Sequence, residues 1–341
     1  MSTAPNPNSQ SDETASGVAL VRPSPSPPSS NGDSEEPMSL IQAALVDNYD
    51  LVVEKLETTR DLEREEYGET ALSNACSLRT VSVLLAAGAN IKRISHQGRR
   101  ALVGLPPECS DEVLSTISPQ QFLSDRCRRF GTKNPDHLNV PFWDAMIRSG
   151  VSAFEAGQYF EQKFAVKRES FFSPATWCAE RHGQSIARLP DGRVIQVGGE
   201  HEDSYDPDFC IYNDVWEHHS DGSFVVYSYP EDVFPPTDNH SSTLMGTHVY
   251  IIGCQGYGEK RRYGHTPVFR LDTATFVIEE VEMTGEAPGW IYQHAAVAVS
   301  EREICVSGGK VIKSEVDEGE NDVEYILDVS ECRWRRKTPD L

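Results

Sequence analysis

The sequence repeats one short phrase three times, and the interval between copies is constant. Each copy is a run rich in β-branched residues that ends at a Gly pair or its equivalent: Gly198–Gly199, Gly253–Cys254 and Gly308–Gly309. Each pair lies 55 residues after the previous one. A fixed interval of this size is typical of stacked supersecondary units, which bury their apolar faces only against one another. The repeat therefore predicts an array of similar units in the second half of the chain.

Charge and cysteine spacing exclude several classes of protein. The chain has 341 residues, which favours two or three modules, and a formal net charge of -22. A phosphate backbone or an anionic membrane would repel it, so we expect no nucleic acid partner and no membrane partner. No apolar run approaches the ~18–20 residues that cross a bilayer, and the first residues lack a secretory signal pattern. The 8 cysteines include no CxxC pair, which favours free thiols and a cytoplasmic localisation.

Changes in composition divide the chain into four segments. Residues 1–37 are rich in Ser, Pro and acidic residues and cannot bury enough apolar surface to offset the entropy of ordering, so they are predicted to be disordered. Their Pro23–Pro28 run could form a polyproline II ligand, although an uncommitted tail is the favoured interpretation. Residues 38–105 and 106–172 have helical patterns, whereas residues 173–341 alternate with the period of β-strands.

Residues 38–105 combine short amphipathic helices with a recurring turn phrase. Gly68–Leu72 (GETAL) opens the phrase, Ala87–Asn90 (AGAN) closes it, and Gly98–Leu102 (GRRAL) starts it again. This pattern resembles the ankyrin repeat, with Ala71 and Ser73 in place of the usual Pro and His. The resemblance implies at most two ankyrin-like helical pairs and part of a third, with an interaction surface. Because repeat arrays need about three units to bury their faces, packing of these helices on the rest of the chain is an equally weighted expectation.

Residues 106–172 are predicted to form a helical connector that packs on the β array. Helices are expected at Asp111–Ile117 and Gln120–Phe130, and a longer helical pattern begins at Pro141. The many aromatic side chains of that last pattern predict burial against a neighbouring element rather than a cofactor-binding stripe. We therefore expect no cofactor.

Each repeated unit is predicted to contain four antiparallel strands joined by polar turns. The turns at Pro190–Gly192 and Asp272–Thr275 are typical of hairpins. The predicted strands are 184–189, 193–197, 211–218 and 224–229 in the first unit, 241–244, 248–252, 267–271 and 276–282 in the second, and 295–299, 303–306, 323–328 and 333–337 in the third.

The same units resemble the kelch repeat, which forms the blade of a class of β-propellers. The resemblance covers residues 173–341 and rests on the Gly pairs at 198–199 and 308–309, on Tyr212–Asp214 and Phe269–Asp272, and on Trp334. One Gly of the second pair is replaced by a cysteine. The resemblance implies a multidomain α plus all-β fold, in which ankyrin-like helical pairs are followed by a three-blade kelch-like antiparallel β array, a partial propeller.

Three blades are too few to close a propeller, which usually has ~4–8. Exposed edge strands promote aggregation, and proteins normally cover them. We expect the helical residues 106–180 to cap the array. A homodimer that completes the propeller from two three-blade halves is the next expectation, and an open arc is the third.

The long connections that follow the second strand of each unit are predicted to share one face, because equivalent loops of stacked units leave the array on the same side. The first connection is acidic, the second contains Lys260–Arg262, and the third, 310–322, is again acidic. Interspersed charges and aromatic rings are typical of a protein-binding face, although long loops are also charged because they are solvated. The predicted partner-binding residues are Glu200, His201, Glu202, Asp203, Tyr205, Asp206, Asp208, Tyr257, Lys260, Arg261, Arg262 and Tyr263.

The sequence contains no recognisable catalytic constellation. The acidic segment, or His182, His240 and His294, could ligate a metal, but the spacing matches neither an EF-hand nor HExxH, and structural roles are favoured. There is also no GxSxG motif and no P-loop. We therefore expect a non-catalytic interaction or scaffold protein that binds a protein or peptide without a metal. The alternative is a metal-dependent or carbohydrate-active enzyme built on a kelch-type propeller.

Overall fold

The computed structural model describes residues 38–105, 110–167, 174–203 and 206–338, with the backbone alone at positions 92, 96, 203 and 206–208. The segment 1–37, which was predicted to be disordered, lies outside the described residues. Within the described ranges, no helix is long and apolar enough to cross a membrane. These ranges form short helices followed by several antiparallel sheets, which is a mixed α+β architecture.

Residues 38–105 form short helices that mostly begin at hydroxyl caps. Ser39 forms a capping box with Gln42, and the Thr70 hydroxyl accepts the N–H of Ser73. The apolar sides of these helices meet in one buried cluster. The elements are α1 (Leu40–Leu45), α2 (Tyr49–Leu56), α3 (Ala71–Asn74), α4 (Leu78–Ala86), the 3-10 turn Ile91–Arg93 and α5 (His96–Leu102).

The connector is helical, as expected, but its second helix is shorter than predicted. That helix ends at Asp125 because the chain turns back toward the sheets, where Gly131 donates its N–H to the carbonyl of Tyr229. The aromatic rings are buried: those of Phe122 and Phe160 stack with centroids 4.2 Å apart. The elements are α6 (Ser110–Ser115), α7 (Pro119–Asp125), β1 (Asp136–His137), α8 (Pro141–Ser149) and α9 (Ala153–Phe164).

Three sheets, each built on a four-stranded antiparallel unit, follow the helices. Sheet I has the order β1-β7-β6-β3-β2, with β2 (Ser185–Arg188), β3 (Val194–Val197), β6 (Val215–His218) and β7 (Phe224–Ser228). Sheet II has the order β11-β10-β9-β8, with β8 (Ser241–Met245), β9 (His248–Ile252), β10 (Val268–Asp272) and β11 (Ile278–Glu280). Sheet III has the order β12-β19-β18-β15-β14, with β12 (Thr284–Gly285), β14 (Ala295–Ala298), β15 (Glu303–Ser307), β18 (Tyr325–Asp328) and β19 (Arg333–Arg336).

Two small sheets lie in the long connections between these strands. One pairs β4 (Glu200–Asp203) with β5 (Asp206–Ile211), and the other has the order β13-β16-β17, with β13 (Trp290–Tyr292), β16 (Lys310–Ile312) and β17 (Glu318–Glu320). The predicted antiparallel pairings within the three units are confirmed. The single strand predicted at 211–218 is wrong. The chain leaves β5 at Ile211 and re-enters a sheet at Val215, because Asn213 uses its side-chain amide to cap the carbonyls of Tyr229 and Phe234.

The three sheets pack on one another in chain order. One buried cluster joins the apolar faces of sheets I and II, and a second joins sheets II and III. The first strands also meet: Ser185 Oγ lies 2.6 Å from His240 Nε2, and Ser241 Oγ lies 2.8 Å from His294 Nε2. Each bond connects the first strand of one sheet to the residue that precedes the first strand of the next. These two buried histidines therefore have a structural role, whereas His182 is exposed and lies apart from this arrangement.

The helical connector covers sheet I. Helices α6 to α9 share one buried cluster with Tyr212 and Trp216, and β1 pairs with β7 at the outer edge of the sheet. Sheet III has no such cover among the described residues. Its outer side carries cross-strand ion pairs instead, including Arg335 Nη2 with Glu303 Oε1 at 2.8 Å. In the described part of the array, helices thus cover sheet I, whereas the outer side of sheet III carries ion pairs.

A buried ion pair joins the cover to sheet I. Arg181 and Asp214 are both buried, and Arg181 Nη2 lies 2.9 Å from Asp214 Oδ2. The indole N–H groups of Trp177 and Trp216 donate to the same carboxylate at 3.0 and 3.1 Å. The guanidinium carbon lies 3.5 Å from the ring centroid of Tyr212. Every charged atom of this pair is therefore paired or faces an aromatic ring.

We predict that Asp214→Ala destabilises the protein by about 3–5 kcal/mol, because it leaves the Arg181 charge buried without its counter-ion. The free energy of unfolding in urea measures this loss. The control is Arg335→Ala, which breaks the partly exposed pair with Glu303 and should cost less than about 1 kcal/mol. Equal losses for the two variants would contradict the role assigned to the buried pair.

The Gly pairs have left-handed backbone conformations. Glycine is needed there for up to two separable reasons, the dihedral angle and the space available for a side chain. Gly198 has φ +54°, and a Cβ there would collide with the carbonyl oxygen of Thr237. Gly308 has φ +62°, but no atom lies within 4 Å of the position that a Cβ would take. The first glycine is thus required by both dihedral angle and space, and the second by dihedral angle alone.

These two glycines form a matched pair of variants. Gly308→Ala should cost about 1 kcal/mol because of the left-handed backbone alone. Gly198→Ala should cost about 2 kcal/mol more, since the collision with Thr237 must also be relieved. Thermal and urea unfolding measure both values. If the two alanine variants lose the same stability, close backbone approach does not explain Gly198.

His218 gives the stability a pH dependence. Burial, with a smaller contribution from His219, lowers the pKa of His218 to about 3 from the usual 6.5. The unfolded chain therefore binds a proton below pH 6.5 that the folded protein does not bind, and stability is lost as the pH falls from about 6.5 toward 3. Its Nε2 lies 2.7 Å from Oε1 of Gln196, so this nitrogen of the neutral ring is paired, whereas the buried Nδ1 has no hydrogen-bond partner among the described residues.

We predict that His218 accounts for about 2 kcal/mol of the stability lost between pH 7 and pH 5. His218→Gln removes the titrating group, so its stability should fall less over this range by that amount. Urea unfolding of both proteins at both pH values measures the difference. The contribution of the carboxylates to the pH dependence is the same in both proteins and therefore cancels. Parallel pH profiles would rule out this assignment.

Candidate partner-binding face

Three long connections lie side by side and form one surface, which we call the loop face. They are the β4–β5 hairpin, the connection 253–267 and the β16–β17 hairpin. The hydroxyl of Tyr257 accepts the N–H of Ile211 at 2.9 Å, which ties the second connection to the first. On the other side, Cys254, Trp290, Tyr292 and Ile312 form a buried cluster that ties it to the third. The middle connection is therefore in contact with both of the others.

Lys260 and Arg262 are the exposed cations of the middle connection. Lys260 Nζ lies 3.1 Å from Oε1 of Glu231, and Arg262 pairs with Glu280. Pairs this exposed contribute roughly 0–1 kcal/mol each, so an acidic group on a partner can replace either one at little cost. The neighbouring ring of Tyr263 is 41% exposed, which leaves an aromatic surface beside the charges.

Arg261 and Tyr257 stabilise the connection through bonds within the chain and do not form part of its exposed surface. The Arg261 guanidinium donates to the carbonyl oxygens of Gln255 and Gly256 at 2.9 and 3.0 Å. Tyr257 is half-buried, and burial raises its pKa. These two residues were predicted to contact a partner, but the bonds within the chain already use their polar groups.

The acidic segment predicted after β3 forms the β4–β5 hairpin. Glu202 is exposed, whereas His201 is buried, so only the first of these two candidates is presented to solvent. Glu200 is half-buried, and burial raises its pKa. The candidates Asp203, Asp206 and Asp208 lie in the hairpin strands, where only the backbone is described, and Tyr205 lies outside the described residues.

The third connection carries a feature that sequence reasoning missed. Val316 lies in the turn between β16 and β17 and is 97% exposed, with acidic side chains on either side of it. Nearby, Glu318 accepts the hydroxyl of Tyr292 at 2.7 Å and pairs with Lys310 at 3.3 Å, and these bonds lower the pKa of Glu318. Val316 therefore adds an exposed apolar side chain to the loop face.

A cleft of about 190 Å³ opens beside Lys260 and Arg262. Pro235, Pro236 and Trp290 contribute apolar walls, while the two cations and their glutamate partners lie at the rim. The proline segment lies in the chain between β7 of sheet I and β8 of sheet II. Its place next to the basic connection could not be predicted, because it depends on how sheets I and II pack.

The described residues contain no group of three or more His, Cys, Asp or Glu side chains placed to hold a metal ion. Close to the loop face, the buried carboxyl of Asp238 accepts the N–H of Gly256 at 2.7 Å and the side-chain amide of Asn239 at 2.8 Å. Burial raises the pKa of Asp238 despite these bonds. This carboxyl therefore holds the start of the middle connection in place.

No family model matches the chain, and no curated protein matches it. Among solved structures it is similar to one described as "Structure of YjhT", with a TM-score of 0.36 and 14% identity. The match covers 49% of this chain and 54% of that one, so this chain spans about half the length of that structure. A likeness this distant does not bear on function.

Proposed function

We propose that this protein is a non-catalytic interaction or scaffold protein that binds a protein or peptide partner at the loop face. The observation that carries the proposal is the cleft beside Lys260 and Arg262, which combines apolar walls with a rim of both charge signs. Aromatic and apolar anchors surrounded by complementary charges are the usual composition of a protein-binding site. The exposed Val316 extends this surface onto the third connection.

We further propose that sheets I to III are kelch-like blades and that residues 38–105 are ankyrin-like pairs. Three four-stranded antiparallel units with Gly pairs at matching positions support the first assignment, and successive short helices support the second. The charged outer side of sheet III favours an open, capped array over a homodimer that completes a propeller, since such ion pairs would have to be desolvated. The enzymatic alternative has no observation in its favour among the described residues.

Reversal of the two exposed cations tests the proposal. Lys260→Glu together with Arg262→Glu should reduce partner capture by at least about tenfold, because it places four like charges on one rim. Full-length tagged protein is used to capture partners from a lysate, and each captured protein is quantified by mass spectrometry. Arg261 is left intact, since its guanidinium holds the connection together.

The matched control is Arg270→Glu together with Arg302→Glu, which makes the same change in charge. These arginines pair with Glu279 and Asp328, away from the loop face. Partners that are lost with the first double variant and retained with the second support the proposal. Partners retained by both variants, with both folded by circular dichroism, would place the interface elsewhere.

A further inference from the structure

A second cavity lies where the helices meet the first strands of the three sheets. It has a volume of about 180 Å³, and we call it the inner groove. Strands β2, β8 and β14 form one side, and the 3-10 turn and α5 contribute Ile91 and Arg99 to the other. The inner groove is separate from the loop face, and its role does not depend on the proposed function.

One wall of the inner groove is lined with hydroxyl groups in a fixed network. Ser185 Oγ bonds to both His240 Nε2 and Ser242 Oγ. His240 Nδ1 is in turn 3.4 Å from the hydroxyl of Thr237. Ser242 forms one hydrogen bond, to Ser185, and when Ser185 donates in that bond the Ser242 proton remains for an acceptor in the groove. The network therefore orients a hydroxyl at the wall without consuming all of its hydrogen-bonding capacity.

Arg99, on the helical side of the groove, brings a positive charge opposite these hydroxyl groups. Its Nη1 donates to Oε1 of Gln184 at 2.8 Å, and burial lowers the pKa of the guanidinium to about 10. Among the described side chains, no carboxylate lies within ion-pair distance of it. Glu180 stabilises the charge from further away and is not part of the groove lining. A guanidinium has five N–H donors in a planar fork, so most of them remain for a ligand.

The rest of the lining combines the polar residues Asn90, Ser241 and His294 with apolar side chains. Ile91, Ile186 and Val297 line the groove, and Val297 is 60% exposed. The volume corresponds to about six water molecules in the liquid, so it suits a ligand of about that many non-hydrogen atoms. A ligand that fits these walls carries a planar anionic group at one end and a short hydrocarbon chain at the other.

We propose that the inner groove binds a small organic carboxylate, with its carboxylate on the Arg99 guanidinium and the Ser242 hydroxyl and its hydrocarbon chain against Ile91 and Val297. A carboxylate matches the fork of the guanidinium in a bidentate pair. Such a ligand contacts the helical segment and the sheets at once, so it links the two parts of the chain.

Butyrate and butyramide are the probes, because they have the same shape and differ in charge. Saturation-transfer NMR on the full chain should detect saturable binding of butyrate with a Kd on the order of millimolar. Butyramide and inorganic phosphate should bind at least about tenfold more weakly, the first without a charge and the second without a chain. Absence of saturable butyrate binding, equal binding of butyramide, or tighter binding of phosphate would overturn the assignment.

Two variants locate the bound carboxylate. Arg99→Gln should weaken butyrate binding at least about tenfold, and Ser242→Ala, which leaves the guanidinium in place, about threefold. Arg188→Gln, at an exposed arginine of β2, is the control and should bind like the wild-type protein. An unchanged Kd in both groove variants, or an equal loss in the control, would refute the site. If Arg99→Gln fails to fold, the result with Ser242→Ala decides.

Discussion

The buried pair of Arg181 and Asp214 is the interaction on which the rest of the structure depends. Removing two charges from water is costly, and it is offset here because both indole N–H groups and the Tyr212 ring face the pair. Trp177 also stacks on Trp143 of α8, with ring centroids 4.8 Å apart. One cluster thus fixes the helical cover, the segment that follows it and the first sheet.

The strand pairing could be predicted from the sequence, whereas the contacts that order the sheets could not. Turns such as Pro190–Gly192 and Asp272–Thr275 specify hairpins through neighbouring residues, and alternation assigns their faces. The Ser185–His240 and Arg181–Asp214 contacts join residues far apart in sequence. No local pattern encodes such partners, because they become neighbours only when the sheets pack.

The features of the candidate site also divide into those that could be predicted from the sequence and those that could not. Topology placed the three connections on one face, but it did not predict which side chains point outward. Arg261 and Arg262 are adjacent, yet one donates to backbone carbonyls and the other is exposed. Periodicity fixes side-chain direction in helices and strands, and it gives no information in an irregular connection. The exposure of Val316 could not be predicted for the same reason.

Helix α5 shows how a short array can be stabilised without a closed ring. Arg99 donates to Gln184 beside β2, and Arg100, its neighbour, donates to the carbonyls of Ile147 and Arg148 in α8. Ile186 of β2 packs against the helical cluster as well. The helix therefore joins the connector to the first strand of sheet I. Because Ile186 packs on the helical cluster and Arg99 bonds beside it, the helical segment covers the edge strand β2, which would otherwise be exposed to water.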